Sequence, residues 1–267
     1  MIDLHSHILP GLDDGAGDWE ESINMARAAA NDGIQGVVCT PHWVIGVYEN
    51  TRPIILQRVA ALREKLRNHN ISLKVYPGSE LRLDPSLLQK IKQREILTLN
   101  DGGQYALIEL PEVVMSEHLE TLLWEMIAHG ITPIIGHPER NSFVQSHPEK
   151  LSNWIEMGTM IQITASSLLG YFGRRTMDFT KMMLDHQLVH IMATDSHGMR
   201  TRSPQLSKAA RMLEEIVGKD EAHKMTSETP TRIVSGERVN LESPLPFQKQ
   251  ESLWKKLLAF VSRAHRA

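Results

Sequence analysis

The chain has 267 residues, 41% of them hydrophobic and 23% charged, with a formal net charge of -3. That length supplies the core of one α/β barrel or of two smaller domains, and the slight acidity argues against a general nucleic-acid binder, which needs a basic field. Cys39 is the only cysteine, no run approaches the roughly 18 apolar residues of a membrane span, and Asp3, His5 and His7 stand where a secretion signal would be apolar, so a cytoplasmic protein is expected.

Strand-like and helix-like segments alternate along the chain. Ile2–His7 reads as a strand. Asp18 then caps a helix, with Glu21 three residues on completing a capping box. This helix carries Ile23, Ala26 and Ala30 at helical spacing and stops at Gly33. Gly36–Thr40 reads as the second strand. A helix near Pro53–His69 and a strand Leu73–Tyr76 follow. Tyr105–Leu110 is a further strand, with a helix from Ser116 to His129 terminated by Gly130. Ile131–Ile135, Met160–Thr164 and Val189–Ala193 read as strands with helices between them. About seven βα repeats without a long linker imply a parallel sheet covered by helices. A closed or distorted barrel fits better than an open sheet, because one switch point would not gather residues from six or seven strand ends.

Those strand ends carry the chemistry. His5 and His7 lie two apart, so on a strand both imidazoles face one way, about 6–7 Å apart, and can close on one divalent ion. His42, His137, Asp195 and His197 each follow a short apolar run, as do the carboxylates Asp14, Glu80 and Glu109. A single Asp or Glu at such a place is most simply a cap or turn former; here the recurrence carries the argument. Histidine and carboxylate without thiolate suit manganese, iron, zinc or magnesium. The ligand set exceeds what one ion needs, and two or three ions sharing bridging carboxylates would use it. Three divalent ions against Asp14, Glu80, Glu109 and Asp195 leave surplus positive charge, which favours an anionic substrate and in-line displacement at phosphorus. Arg140 and Arg202 strengthen the phosphate reading, since a planar guanidinium matches phosphate oxygens.

Other signals fail. Gly15-Ala16-Gly17 begins like a dinucleotide loop, but Glu20 stands at the third glycine position and repels pyrophosphate. Cys39 lacks the arginine six positions later that a cysteine phosphatase uses; Ile45 is there. Ser6 lies between two histidines, yet alternation turns it away from them.

These motifs together resemble the PHP superfamily, and more closely the bacterial tyrosine phosphatases of capsule and exopolysaccharide loci, the CpsB/CapC type. The resemblance covers about residues 1–240. It rests on Asp3-Leu4-His5-Ser6-His7-Ile8-Leu9-Pro10-Gly11-Leu12-Asp13-Asp14-Gly15, Thr40-Pro41-His42, Gly78-Ser79-Glu80-Leu81, Leu107-Ile108-Glu109, His137-Pro138-Glu139-Arg140 and Thr194-Asp195-Ser196-His197. It implies a distorted (β/α)7 TIM-like barrel, a single domain over residues 1–240, with a trinuclear site usually supported by manganese; iron, zinc, cobalt and magnesium are the other ions expected. By position, His5, His7, Glu80 and Asp195 would hold one ion. Glu80, Glu109 and His137 would hold a second, and Asp14, His42 and His197 the third. Arg140 and Arg202 would bind the phosphoryl group, and a metal-activated hydroxide would hydrolyse phosphotyrosine. The implied partner is the tyrosine-rich tail of a bacterial tyrosine kinase controlling polysaccharide synthesis. Histidinol-phosphate phosphatase and a non-catalytic metal-binding module are the alternatives.

Residues 241–267 fall outside the resemblance. Leu253, Trp254, Leu257, Leu258 and Val261 follow helical spacing, and from residue 249 on there are five Lys or Arg and one Glu. A packed or frayed helix is the plain expectation. A peripheral membrane or partner contact is the sharper one.

Overall fold

The computed structural model describes residues 1–111, 118–200 and 202–245. Among the described residues, ten strands run in the order β1 Ile2–Ser6, β2 Gly36–Cys39, β3 His42–Val44, β4 Tyr48–Glu49, β5 Lys74–Pro77, β6 Glu80–Arg82, β7 Tyr105–Glu109, β8 Thr132–Gly136, β9 Met160–Thr164 and β10 Ile191–Ala193. The main helices between them are α1 Trp19–Asn31, α2 Arg52–Asn68, α3 Leu87–Lys92, α4 Leu119–Ala128, α5 Ser142–Ser146, α6 Glu149–Met157, α7 Ala165–Leu168, α8 Arg174–Asp185 and α9 Ser207–Val217. Two short helices, Lys219–His223 and Thr229–Val234, follow. The first residues of the expected helix at Ser116 and the tail from residue 246 lie outside the described residues. Among the described residues, no helix is long and apolar enough to cross a membrane.

Strands β1, β2 and β5 pair in parallel, and β6, β7, β8, β9 and β10 pair in parallel in that order. The two sheets meet at both ends. Ser6 bridges Ser196, and the His7 amide donates to the Ser196 carbonyl at 2.8 Å. On the other side β5 and β6 are one strand broken at Gly78-Ser79, the first half pairing with β2 and the second with β7. The ring is therefore a distorted seven-stave barrel whose third stave is split. A Cβ at Gly78 would lie 2.8 Å from Val38 Cγ1, so the break passes too close to its neighbour for a side chain. Beyond it β3 pairs parallel to β6 and turns back through β4, a hairpin the sequence reading did not anticipate.

Alternation along each strand sorts side chains into two layers. Val38, Leu107, Ile134, Met160 and Ile191 share one cluster with Leu4 inside the ring. Their neighbours Val37 and Cys39 pack under α1 and α2, and Ala106, Ile108, Ile135, Ile161, Ile163 and Met192 pack under the remaining helices. Full burial of each such aliphatic side chain contributes about 1.5–3 kcal/mol relative to exposure. Helix α1 begins as expected: Asp18 Oδ1 accepts from the Glu21 amide at 2.9 Å, while Glu21 reaches back to the Gly17 amide. Its buried face is Ser22, Met25, Ala26 and Ala29, with Ile23 and Ala30 at the margins. This corrects the expected register by one position, because Met25 takes the central place. Val239 and Leu241 pack beneath the inner cluster, and the Leu245 amide donates to the His186 carbonyl.

Candidate metal centre

The inner cluster is the floor of the barrel, and the same alternation decides what stands above it. Glu109 shares the parity of Tyr105 and Leu107, Gln162 that of Met160, and Asp195 that of Ile191 and Ala193, so all project into the mouth. On β6, Leu81 packs outward, which leaves Glu80 and Arg82 facing inward. Gly136 has the inward parity of Ile134, and a Cβ there would lie 3.4 Å from Leu107 and 3.7 Å from Glu80 Oε1. Strand parity alone would turn His137 away. Its left-handed backbone (φ 38°) and that of Asp195 (φ 51°) re-aim the chain at the rim. Non-glycine residues in that region cost of order 1–3 kcal/mol each and collect at functional sites. Strand β1 also shifts register between Asp3 and Ser6, an irregularity of the kind found beside active sites.

Eight of the nine residues expected as ligands meet around this mouth in three groups that share members, and the ninth, His137, stands beside them on Glu80. In the first, His5 Nε2 lies 3.2 Å from each of His7 Nε2, Glu80 Oε2 and Asp195 Oδ1. His7 Nε2 lies 3.3 Å from Glu80 Oε2 and 3.4 Å from Asp195 Oδ1. Four ligands about 2.1 Å from a tetrahedral ion would stand about 3.4 Å apart. In the second, Asp14 Oδ1 is 3.3 Å from His197 Nε2 and 3.5 Å from His42 Nε2, with the His7 ring 3.7 Å from that of His197. In the third, His42 Nδ1 approaches Glu80 Oε2 at 3.0 Å and Glu109 Oε2 at 3.6 Å. His42 thus stands beside Glu109 where the sequence reading set His137. His137 Nε2 instead meets the other Glu80 oxygen at 2.7 Å.

Hydrogen bonds fix the tautomers. His7 Nδ1–H donates to Asp13 Oδ2 at 2.7 Å, His5 Nδ1–H to Gln162 Oε1 at 2.9 Å, and His197 Nδ1–H to the Asp195 carbonyl at 3.0 Å. Each leaves the Nε2 lone pair for a ligand, the usual arrangement of metal-binding histidine. Four atoms at the centre, Glu80 Oε2, Asp195 Oδ1, His42 Nδ1 and His197 Nε2, are buried without a hydrogen-bond partner. Buried unsatisfied acceptors are rare and costly. Divalent ions on these hard oxygen and imidazole nitrogen donors satisfy them, so the residues fit a metal centre.

Charge follows the same logic. Burial pushes the Asp195 carboxyl upward, but His5 and Arg140 more than offset this and hold it well below the usual carboxylate range. Burial likewise opposes ionisation of Glu80, and the surrounding histidines hold it low. Burial disfavours a charged His7, yet the Asp13 carboxylate raises its pKa. The two arginines meet on one atom: Arg140 Nη2 lies 2.8 Å and Arg202 Nη1 3.1 Å from Asp195 Oδ2.

The sequence reading missed several residues here. Arg82, whose Nε donates to Glu109 Oε2 at 2.8 Å, is visible in hindsight as Glu80 plus two on one strand. Gln162 is legible by the parity of Met160. Asp13 orients His7 and also accepts from the His42 amide at 2.9 Å. Phe172 and Tyr48 line the mouth, Tyr48 stacked on His42 with ring centroids 5.9 Å apart. Ser6 does point away, sharing a 2.8 Å hydrogen bond with Ser196. The mouth opens into a cavity of about 780 Å³ lined by His42, Arg82, Arg140, Phe172, His197 and Arg202 among others.

Residues 1–235 match the CpsB/CapC family of capsular polysaccharide synthesis. The tyrosine-protein phosphatase YwqE of Bacillus subtilis (strain 168) is 35% identical over 251 residues, covering 94% of this chain and 98% of that protein. The tyrosine-protein phosphatase CpsB of Streptococcus agalactiae serotype V is 30% identical over 239 residues, covering 88% and 98%. A crystal structure of YwqE, described with Streptococcus pneumoniae CpsB as a metal-dependent tyrosine phosphatase, superposes with a TM-score of 0.89 at 35% identity over 93% of this chain and 100% of that one. The histidinol phosphate phosphatase of Lactococcus lactis shares the fold, with a TM-score of 0.55 at 16% identity over 84% and 94%. Matched across nearly its whole barrel, the chain belongs to the CpsB/CapC family.

Proposed function

We propose that this chain is a metal-dependent protein tyrosine phosphatase that acts in the cytoplasm on the phosphotyrosine tail of a bacterial kinase regulating capsule or exopolysaccharide synthesis. The observation that carries the reading is one mouth holding three overlapping ligand groups beside two arginines. The first ion belongs to His5, His7, Glu80 and Asp195. Glu80, Glu109 and His137, with His42 adjacent, serve a second, and Asp14, His42 and His197 a third. Manganese is the proposed occupant.

Divalent ions so held would supply Lewis acidity, activating water as a nucleophile and drawing charge from phosphoryl oxygens. The chain's own residues do the rest. Asp13 and Gln162 keep His7 and His5 in the tautomers that face the ions. Arg140 and Arg202 are anchored on Asp195 and present their remaining N–H groups to the phosphoryl oxygens, orienting them and offsetting their charge. Asp195 therefore ties the ligand cradle to the phosphate clamp. The departing tyrosinate has a parent pKa of about 10, low enough to leave with modest help. The broad opening suits a flexible peptide tail. Catalysis resides in residues 1–240; a helix packed on the barrel or frayed is the plain reading of the basic stretch 241–267, and loss of vesicle binding on truncation at Asn240 would support a membrane contact instead.

The test is phosphate release from a phosphotyrosine peptide and from histidinol phosphate by protein stripped of metal and refilled with manganese. Manganese-dependent release chiefly from the peptide is expected, with the melting temperature rising on refilling. Preference for histidinol phosphate, or no release from either, would overturn the reading. An Arg140→Ala variant with undiminished turnover would remove the proposed phosphate clamp.

A further inference from the structure

Tyr171 and Phe172 stand between Gly170 and Gly173, which take φ values of 83° and 88°. Such angles favour glycine, and the paired turns lift the two aromatics off α7 instead of letting them fold into the core. Phe172 is 38% exposed. It lines the catalytic cavity, and its ring centroid lies 4.8 Å from the guanidinium carbon of Arg140. The cavity's other apolar lining includes Val44, Val47 and Tyr48 of the β3–β4 hairpin.

We infer that Phe172 is a specificity-determining residue that selects aryl over alkyl phosphate esters by packing against the ring one ester oxygen away from the phosphoryl group. This rests on the reading that Arg140 holds a phosphoryl oxygen. A group bonded to that phosphoryl leaves the metal centre along the part of the cavity that Phe172 borders. Aromatic rings pair with centroids about 4.5–7 Å apart in offset or edge-to-face geometry. An alkyl chain has no π face and offers less area. The contact with Arg140 also keeps one face of the Phe172 ring in place, so the ring is held before substrate arrives and little further ordering is needed on binding.

The test uses manganese-loaded enzyme and two non-hydrolysable probes, benzylphosphonate, in which a CH2 group stands for the ester oxygen, and methylphosphonate, which lacks only the ring, as competitive inhibitors of phosphotyrosine-peptide hydrolysis. Neither probe has a leaving group, so the readout is binding alone. The enzyme is expected to favour benzylphosphonate. In Phe172→Ala that preference falls about tenfold, while inhibition by methylphosphonate changes by less than about twofold. Phe172→Tyr keeps the preference, and Phe172→Leu restores only part of it. A preference that survives in Phe172→Ala overturns the inference, and so does an equal loss for both probes, which would make the ring only a prop for Arg140. Arg140→Ala separates the layers of the argument: it weakens both probes if Arg140 holds the phosphoryl, and unchanged methylphosphonate inhibition would sink that reading instead.

Discussion

Gly15→Ala places a single methyl group where the loop after β1 folds back on His7. A Cβ at position 15 would lie 2.1 Å from the His7 carbonyl oxygen, 2.5 Å from its Cβ and 2.9 Å from its carbonyl carbon. Ordinary contact begins at 3.4 Å, so the two segments must separate by about 1 Å or more. The obstructing atoms are backbone and Cβ, which no rotamer change can move aside. Separation breaks the Ala16 amide to His7 carbonyl bond of 3.0 Å and disturbs the Gly15 amide bond to Asp13 Oδ1. Each such loss costs about 0.5–1.5 kcal/mol of stability. The larger effect is on the site, because His7 and its partner Asp13 move together. A misplacement of about 1 Å in a catalytic constellation costs roughly 100-fold in rate. The expected result is a folded variant, destabilised by a few kcal/mol, whose kcat/KM on a phosphotyrosine peptide falls at least 100-fold at saturating manganese. Steady-state kinetics beside a urea melt reads both. Activity within about threefold of the parent in a cooperatively folded variant would refute the close-approach argument.

Two further outcomes follow from neighbouring groups. Asp13→Asn keeps the size of the side chain but removes the charge facing His7 Nδ1 at 2.7 Å, and should weaken manganese binding about 10–100-fold in a calorimetric titration; unchanged affinity would reduce Asp13 to a turn former. His190, whose Nδ1 accepts from the Ile161 amide at 3.0 Å, has its pKa lowered by burial from 6.5 to about 4. The folded state thus binds this proton less readily than the unfolded one, so the associated stability is intact above about pH 6.5 and is lost as pH falls through 4, about 3 kcal/mol in all. Urea midpoints of metal-free protein should fall more steeply over that window than those of His190→Gln, and parallel curves would show that His190 is not the titrating group.

What could be read from the chain followed from periodicity and from residue type at strand ends. Val37-Val38-Cys39 and Ala106-Leu107-Ile108 are apolar on both faces, as strands covered on both sides must be, and a seven-stave ring gathers whatever follows them. The candidate ligands were legible for that reason. The β3–β4 hairpin was not, since Trp43 and Val44 precede a tight turn at Ile45-Gly46 with only two residues returning. The additional approach of His42 to Glu109 was hidden for a different reason. His137 follows a strand by a left-handed turn, and His42 begins a strand that exists only in the folded sheet. Phe172 was invisible because its use depends on where two glycine turns set a loop. Arg82 and Gln162 were within reach, since each shares strand parity with a residue already identified.

The barrel is closed between its first and last staves, and its candidate ligands span the same distance along the chain: His5 and His7 precede Asp195 and His197 by almost the whole domain. During synthesis the two histidines emerge before the carboxylate and imidazole that stand beside them in the folded mouth. No nascent chain shorter than the tenth strand can bring His5, His7, Glu80 and Asp195 together. Under the assignment proposed above, filling of that site waits for ring closure, and a truncated or stalled product would leave the ribosome with these two histidines uncommitted. Long-range closure of this kind makes acquisition of that ion a check on completion of the fold.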